Sequence, residues 1–218
     1  MTTVAILTLL HVLVLVYWLG GDLGAYYASR FVYDSERPVP ARTMAAKVLG
    51  DIDMAPRVCL LLAFPTGLAL AAAKGWLAVH WVFVVVPFLA AGIWVLIAFA
   101  IHMDHGGGRG LKRFDVGLRW AFLLSLAATG AAALAGEVAL PRFLAFKLLL
   151  LAFAVLMGLL IRRTLIPFGP AFGRLVAEGP SPEVDAALRA PIARARPFVL
   201  SIWAALLLAG YLGIATPT

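Results

Sequence analysis

The chain has 218 residues, 63% of them hydrophobic and only 13% charged, about half the charged share of a soluble globular domain, with a mean hydropathy of +0.99. Several apolar stretches pass the roughly 18-residue length that reads as a membrane span, which excludes a water-soluble core. The formal charge of +7 belongs in such a chain to loops that fix orientation rather than to a nucleic-acid surface, and the lone Cys59 excludes an intrachain disulfide or a cysteine metal cluster.

Apolar runs at about 4–28, 54–73, 79–101, 116–135, 143–161 and 197–214 predict an all-α bundle of six transmembrane helices, one domain covering 1–218. Strands are not expected, because only helices and closed barrels satisfy their backbone in lipid. The first run has no Lys or Arg before Arg30 and is too long for the apolar core of a signal peptide, so it reads as a retained helix. Gly20 and Gly24 form a G-x-x-x-G that suits close helix packing. A polar, proline-containing loop precedes the second helix. Gly75-Trp76, Gly106-Gly107-Gly108 and the stretch from Gly136 to Pro141 mark turns. The longest connection, about 162–196, holds five prolines and a short surface helix over 181–188 capped by Ser181. Trp76, Trp81, Tyr211 and Trp203 read as interfacial belt residues.

Fifteen of the eighteen Lys and Arg residues fall in or beside the first, third and fifth connections. The positive-inside rule puts those connections in the cytoplasm and both termini outside an inner, plasma-type membrane.

Ionisable groups within spans are costly and mark functional candidates. His11 and Lys147 lie on different helices, each about 9–11 Å deep from the outer face at 1.5 Å per residue, a placement that clamps one planar cofactor between them. The plainer readings are a hydrogen-bonded core histidine and a lysine that snorkels to the interface. Trp18, seven residues after His11, lies on nearly the same face. A second group gathers at the cytoplasmic ends: Asp22, Asp51, Asp53, His102, Asp104 and His105, with Asp115 nearby. Mixed His and carboxylate ligands suit a non-haem divalent metal; ion pairing with Arg57, Arg113 and Arg119 is the plainer alternative, although Asp22 is too deep for capping. No nucleophile–base arrangement for hydrolysis stands out.

The first 75 residues resemble the HemJ type of protoporphyrinogen oxidase, a helical membrane family related in fold to CopD-like proteins. The resemblance rests on His11, Trp18 and Gly21, on a Tyr-rich helix end running into Arg30-Phe31-Val32-Tyr33, and on Arg57 followed by Pro65 and Gly67. Phe143 through Lys147-Leu148-Leu149 looks like the lysine helix of that family. The resemblance implies that His11 is a haem-iron ligand and that His11 and Lys147 are essential. The chain departs from the pattern in an apparent inserted helix pair at 79–135, in a longer first helix that includes Asp22, and in Asp34 where histidine is common.

The expected function is a haem-b-binding membrane oxidoreductase of protoporphyrinogen-oxidase type. His11, Trp18 and Lys147 would hold the cofactor; Lys147, Arg57 and Asp22 would serve catalysis, with Arg57 placed to bind tetrapyrrole carboxylates. The resemblance implies a quinone as electron acceptor. Expected partners are the bilayer, a quinone or porphyrin-like small molecule and, for a homo-oligomer, a second copy of the chain. The alternatives are a metal-ion or small-solute permease of CopD type, or a membrane enzyme using a non-haem metal at the Asp/His group. Against copper stands the lack of methionine and cysteine clusters.

Overall fold

The computed structural model describes residues 2–104 and 108–216; the candidate ligand His105 and the predicted turn glycines Gly106 and Gly107 lie outside the described residues. All regular structure among the described residues is helical: α1 (Thr2–Val32), α2 (Val39–Ile52), α3 (Met54–Ala73), α4 (Val82–Met103), α5 (Arg109–Leu134), α6 (Arg142–Thr164), α7 (Phe168–Glu178) and α8 (Pro182–Ala215). Six segments are long and apolar enough to cross a membrane, with α2 continuing into α3 and α6 into α7. The chain is an all-α polytopic membrane protein.

Two predicted turns form at one end of the bundle. After α3, Gly75 takes φ 72° while its N–H reaches Ala72 O and that of Trp76 reaches Ala71 O, both at 3.0 Å. After α5, Gly136 takes φ 84°, with its N–H on Ala133 O at 3.2 Å and that of Glu137 on Ala132 O at 2.9 Å. Both are Schellman endings, in which a left-handed residue lets the last carbonyls find donors. These turns lie with the start of α1 and the end of α8 at what we call the terminal end. The other end, rich in Arg and Lys, is the basic end.

Two stretches expected as loops are helices. The segment before Arg57 forms α2, started by Pro38 and Pro40 and joined to α3 through Asp53 alone, which keeps helical angles. Its Arg42 is fully buried; Nε donates to Val32 O at 2.8 Å and Nη2 to Asp185 Oδ1 at 2.6 Å. One guanidinium therefore caps α1 and ties α2 to the first turn of α8. The 162–196 connection contains α7 and the first half of α8. In α7, Phe168, Ala171, Phe172 and Leu175 share a face by i, i+3, i+4, i+7 spacing, and it packs on Val184 and Leu188 of α8 with Tyr33 and Val39. Ser181 caps the helix as expected, its Oγ accepting from Val184 N–H at 3.2 Å. The helix does not stop at Leu188 but runs to Ala215 through Pro191 and Pro197; neighbouring helices in a membrane protein let such prolines persist inside a span.

The core lies between α1, α3, α6 and α8, around Trp18, Leu61, Val155 and Ile202. The close approach of α1 to α3 uses Gly21, and to the end of α2 Gly24, rather than Gly20: a Cβ at Gly21 would stand 2.6 Å from Pro56 Cδ, and at Gly24 3.2 Å from Ile52, whereas Gly20 meets nothing within 4 Å. Helix α4 is peripheral. It buries only Ala91 and Ala98, with Phe83, Leu89 and Leu96 turned outward, the pattern of a lipid-facing helix held by small residues. Trp203 is not a belt residue; it is half-buried against the core and meets Tyr26 edge-on at 5.5 Å.

Candidate functional site

His11 on α1 and Lys147 on α6 line the same cavity, of about 480 Å³, at the terminal end. That volume falls within the range of small-molecule sites, about 300–1,000 Å³. Trp18 lies deeper on the same wall, Leu144, Leu148 and Leu151 form much of the apolar side, and Lys74 and Trp76 stand at the rim. One cavity thus joins His11 and Lys147, which the sequence places on different helices.

Thr66 determines how His11 presents itself. Its hydroxyl lies 2.7 Å from Leu62 O, four residues back on α3, and donates its single hydrogen there. The same oxygen is 2.9 Å from His11 Nδ1 and so accepts from it. With the proton on Nδ1, Nε2 carries the lone pair and is the nitrogen free for a ligand. Gly67 makes room for the ring, since a Cβ there would stand 3.1 Å from His11 Cε1. Gly213 does the same for the lysine: a Cβ would come within 2.8 Å of Lys147 Nζ. Lys74 lies within electrostatic range of Lys147 and sits over the Trp76 ring at 4.5 Å. No carboxylate is among the lining residues. The cavity thus offers an apolar body, one imidazole nitrogen and two lysine amines.

The remaining candidates lie toward the basic end and do not converge. Arg57 pairs with Asp53 one turn back, and ten residues, about 15 Å of helix, separate it from Gly67; it does not line the cavity. His102 Nε2 lies 3.3 Å from Asp51 Oδ1. Asp104 caps the end of α4. Among the described residues, no three His, Cys, Asp or Glu side chains stand together as a metal ligand set. Asp22 stands apart, in the interior of α1 between the indoles of Trp18 and Trp203, with Asp53 as its charged neighbour.

Sequence reasoning missed Thr66, Gly213 and the rim position of Lys74. Thr66 left a signal, being a polar residue within an apolar run; Gly213 left none, because its meaning depends on a lysine 66 residues away. The ion knot around Asp115 was half legible. Asp115 is buried and pairs with Arg119 at 3.0 Å and Arg162 at 2.7 Å, while Trp94 Nε1 donates to it at 2.8 Å. Arg119 was expected as a partner; Arg162, from α6, was not.

Comparison with known proteins gives no match to a family model, to a curated protein or to a solved structure.

Proposed function

We propose that this protein is a haem-b-binding oxidoreductase of the plasma membrane, with the basic end in the cytoplasm and the cavity opening outside. The observation that carries the reading is His11: its Nδ1 is committed to Thr66, and its other nitrogen belongs to a cavity shared with Lys147. Metal-bound histidines characteristically spend their second nitrogen on such a partner, which fixes tautomer and ring orientation. His11 Nε2 and Lys147 would hold the haem, and Lys74 would meet an acidic group at the rim. When bound, the haem would supply one-electron redox chemistry, with its potential set by the residues that hold it and by the apolar wall. The protein's own part is to orient His11, exclude water with the leucine wall and neutralise acidic groups with its two lysines. The reaction class is oxidation of a porphyrinogen-like substrate, with a membrane quinone taking the electrons, as the sequence resemblance implies.

The test is an absorption spectrum of the detergent-purified protein, oxidised and dithionite-reduced. A Soret band with sharpened reduced α and β bands is expected, and His11→Ala loses the haem. A colourless wild-type protein, or a full Soret band in His11→Ala, overturns the assignment. A haem-loaded protein is then assayed for porphyrinogen oxidation, and absence of turnover with any quinone removes the enzymatic half of the proposal.

A further inference from the structure

Helices α1 and α8 meet along a polar seam that the cavity does not use. On α1, Asp22 and Tyr26 are one turn apart on one face, and Tyr33 follows immediately after the helix end. On α8, Arg196 and Trp203 are seven apart and face them. Trp203 meets Tyr26 edge-on, Arg196 lies 5.7 Å from the Tyr26 ring centre, and Arg196 Nη2 donates to Tyr33 Oη at 2.6 Å. Three polar atoms along this seam, Asp22 Oδ2, Trp203 Nε1 and Arg196 Nε, are buried with no hydrogen-bond partner.

One acceptor and two donors orphaned in a row are unusual, because buried polar groups find partners in the protein or in ordered water. The indoles of Trp18 and Trp203 face Asp22, but among the described residues no side chain closes a hydrogen bond of good geometry to any of the three atoms. Waters bridging from Arg196 past Trp203 to Asp22 would satisfy all three, each water drawing on the polar partners it needs. The seam begins beside Tyr33 at the basic end. It finishes at Asp22, whose neighbour Trp18 lines the His11 cavity.

The groups facing Asp22 are consistent with an exchangeable proton rather than a fixed ion pair. From the α2–α3 junction comes Asp53 and from α3 Cys59; from α8 come Trp203 and, two turns away, Arg196, which is engaged with Tyr33. A carboxyl within a span that is neither paired nor at the interface is the kind of group that proton pathways use.

The geometry points to Asp22 as a proton-transfer site, loaded from the basic end through a hydrated α1–α8 seam and discharging toward the cavity floor at Trp18. On loading, an O–H bond forms at Oδ2 as an O–H bond of a protonated seam water breaks; on discharge the Oδ2–H bond breaks as an O–H bond forms on a water at the cavity side, and no electron moves. The inference goes beyond the haem reading and does not need it.

The test is infrared difference spectroscopy of the full chain in lipid nanodiscs, without added cofactor, on exchange from H₂O to D₂O. A protonated-carboxyl C=O band is expected that shifts promptly in D₂O, disappears in Asp22→Asn and moves in Asp22→Glu. Trp203→Phe, which removes one donor of the seam, is expected to slow the shift several-fold. The proposal is overturned if Asp22→Glu leaves every carboxyl band where it was, or if the Asp22 band ignores D₂O for hours. A colourless protein that still shows the exchanging band rejects the haem assignment and retains the proton site.

Discussion

A threonine inside a helix commonly returns its hydroxyl to the carbonyl one turn back, and Thr66 does so to Leu62. The consequence reaches another helix, because an oxygen that has spent its hydrogen can only accept from His11. Thr66→Val removes that acceptor at nearly constant shape. It is expected to lower haem affinity by about 10–100-fold, the usual effect of losing a partner that orients a metal ligand, while Thr66→Ser keeps it. The haem-to-protein ratio after purification measures this, and an unchanged ratio in Thr66→Val would show that the ring needs no such orientation. His11 and Lys147 were legible in the sequence because a charge or an imidazole in an apolar run stands out against its neighbours. Thr66, Gly67 and Gly213 are quieter. Their roles are defined by what a helix far away in the chain places against them, and no local pattern encodes that.

At the scale of elements, membrane spans were read correctly because twenty apolar residues have one physical meaning. Helices α2 and α7 were not, since both are amphipathic, short and rich in the residues that usually mark loops. Pro191 was counted in the long connection and the last helix was started at residue 197, whereas α8 carries both prolines within its length. Arg42 shows what holds these end-pieces. Its side chain is fully buried and that of Asp185 is 20% exposed, so Arg42→Leu leaves a partly shielded carboxylate and an uncapped Val32 carbonyl. The expected loss is about 3 kcal/mol, the lower end for breaking a buried pair, because water still reaches Asp185. Thermal unfolding in detergent reads it as a lowered midpoint; a midpoint equal to wild type would mean that α2 is held by its apolar face alone.

For the whole molecule, the charge bias along the chain argues for one orientation, and the single buried cysteine makes the argument easy to check. Glu137→Cys, in the turn after α5, is expected to react with an impermeant maleimide in intact cells. Glu36→Cys, in the turn after α1, is expected to react only after permeabilisation. The reverse pattern would turn the cavity toward the cytoplasm and the Arg196 end of the seam toward the outside. An orientation can be argued from the sequence because it depends on a count of charges; the cavity could not be, because it depends on how the spans close on one another.

The walls of that cavity run from Thr8 near the start of the chain to Ile214 near its end. A ribosome threading this protein into a bilayer therefore makes the histidine long before it makes the glycine that shelters the lysine. Until the final helix is inserted and docked, there is no enclosed chamber for a guest to enter. Any small molecule the chamber holds would have to enter after synthesis, and a chain cut short before α8 would leave a half-open trough facing lipid.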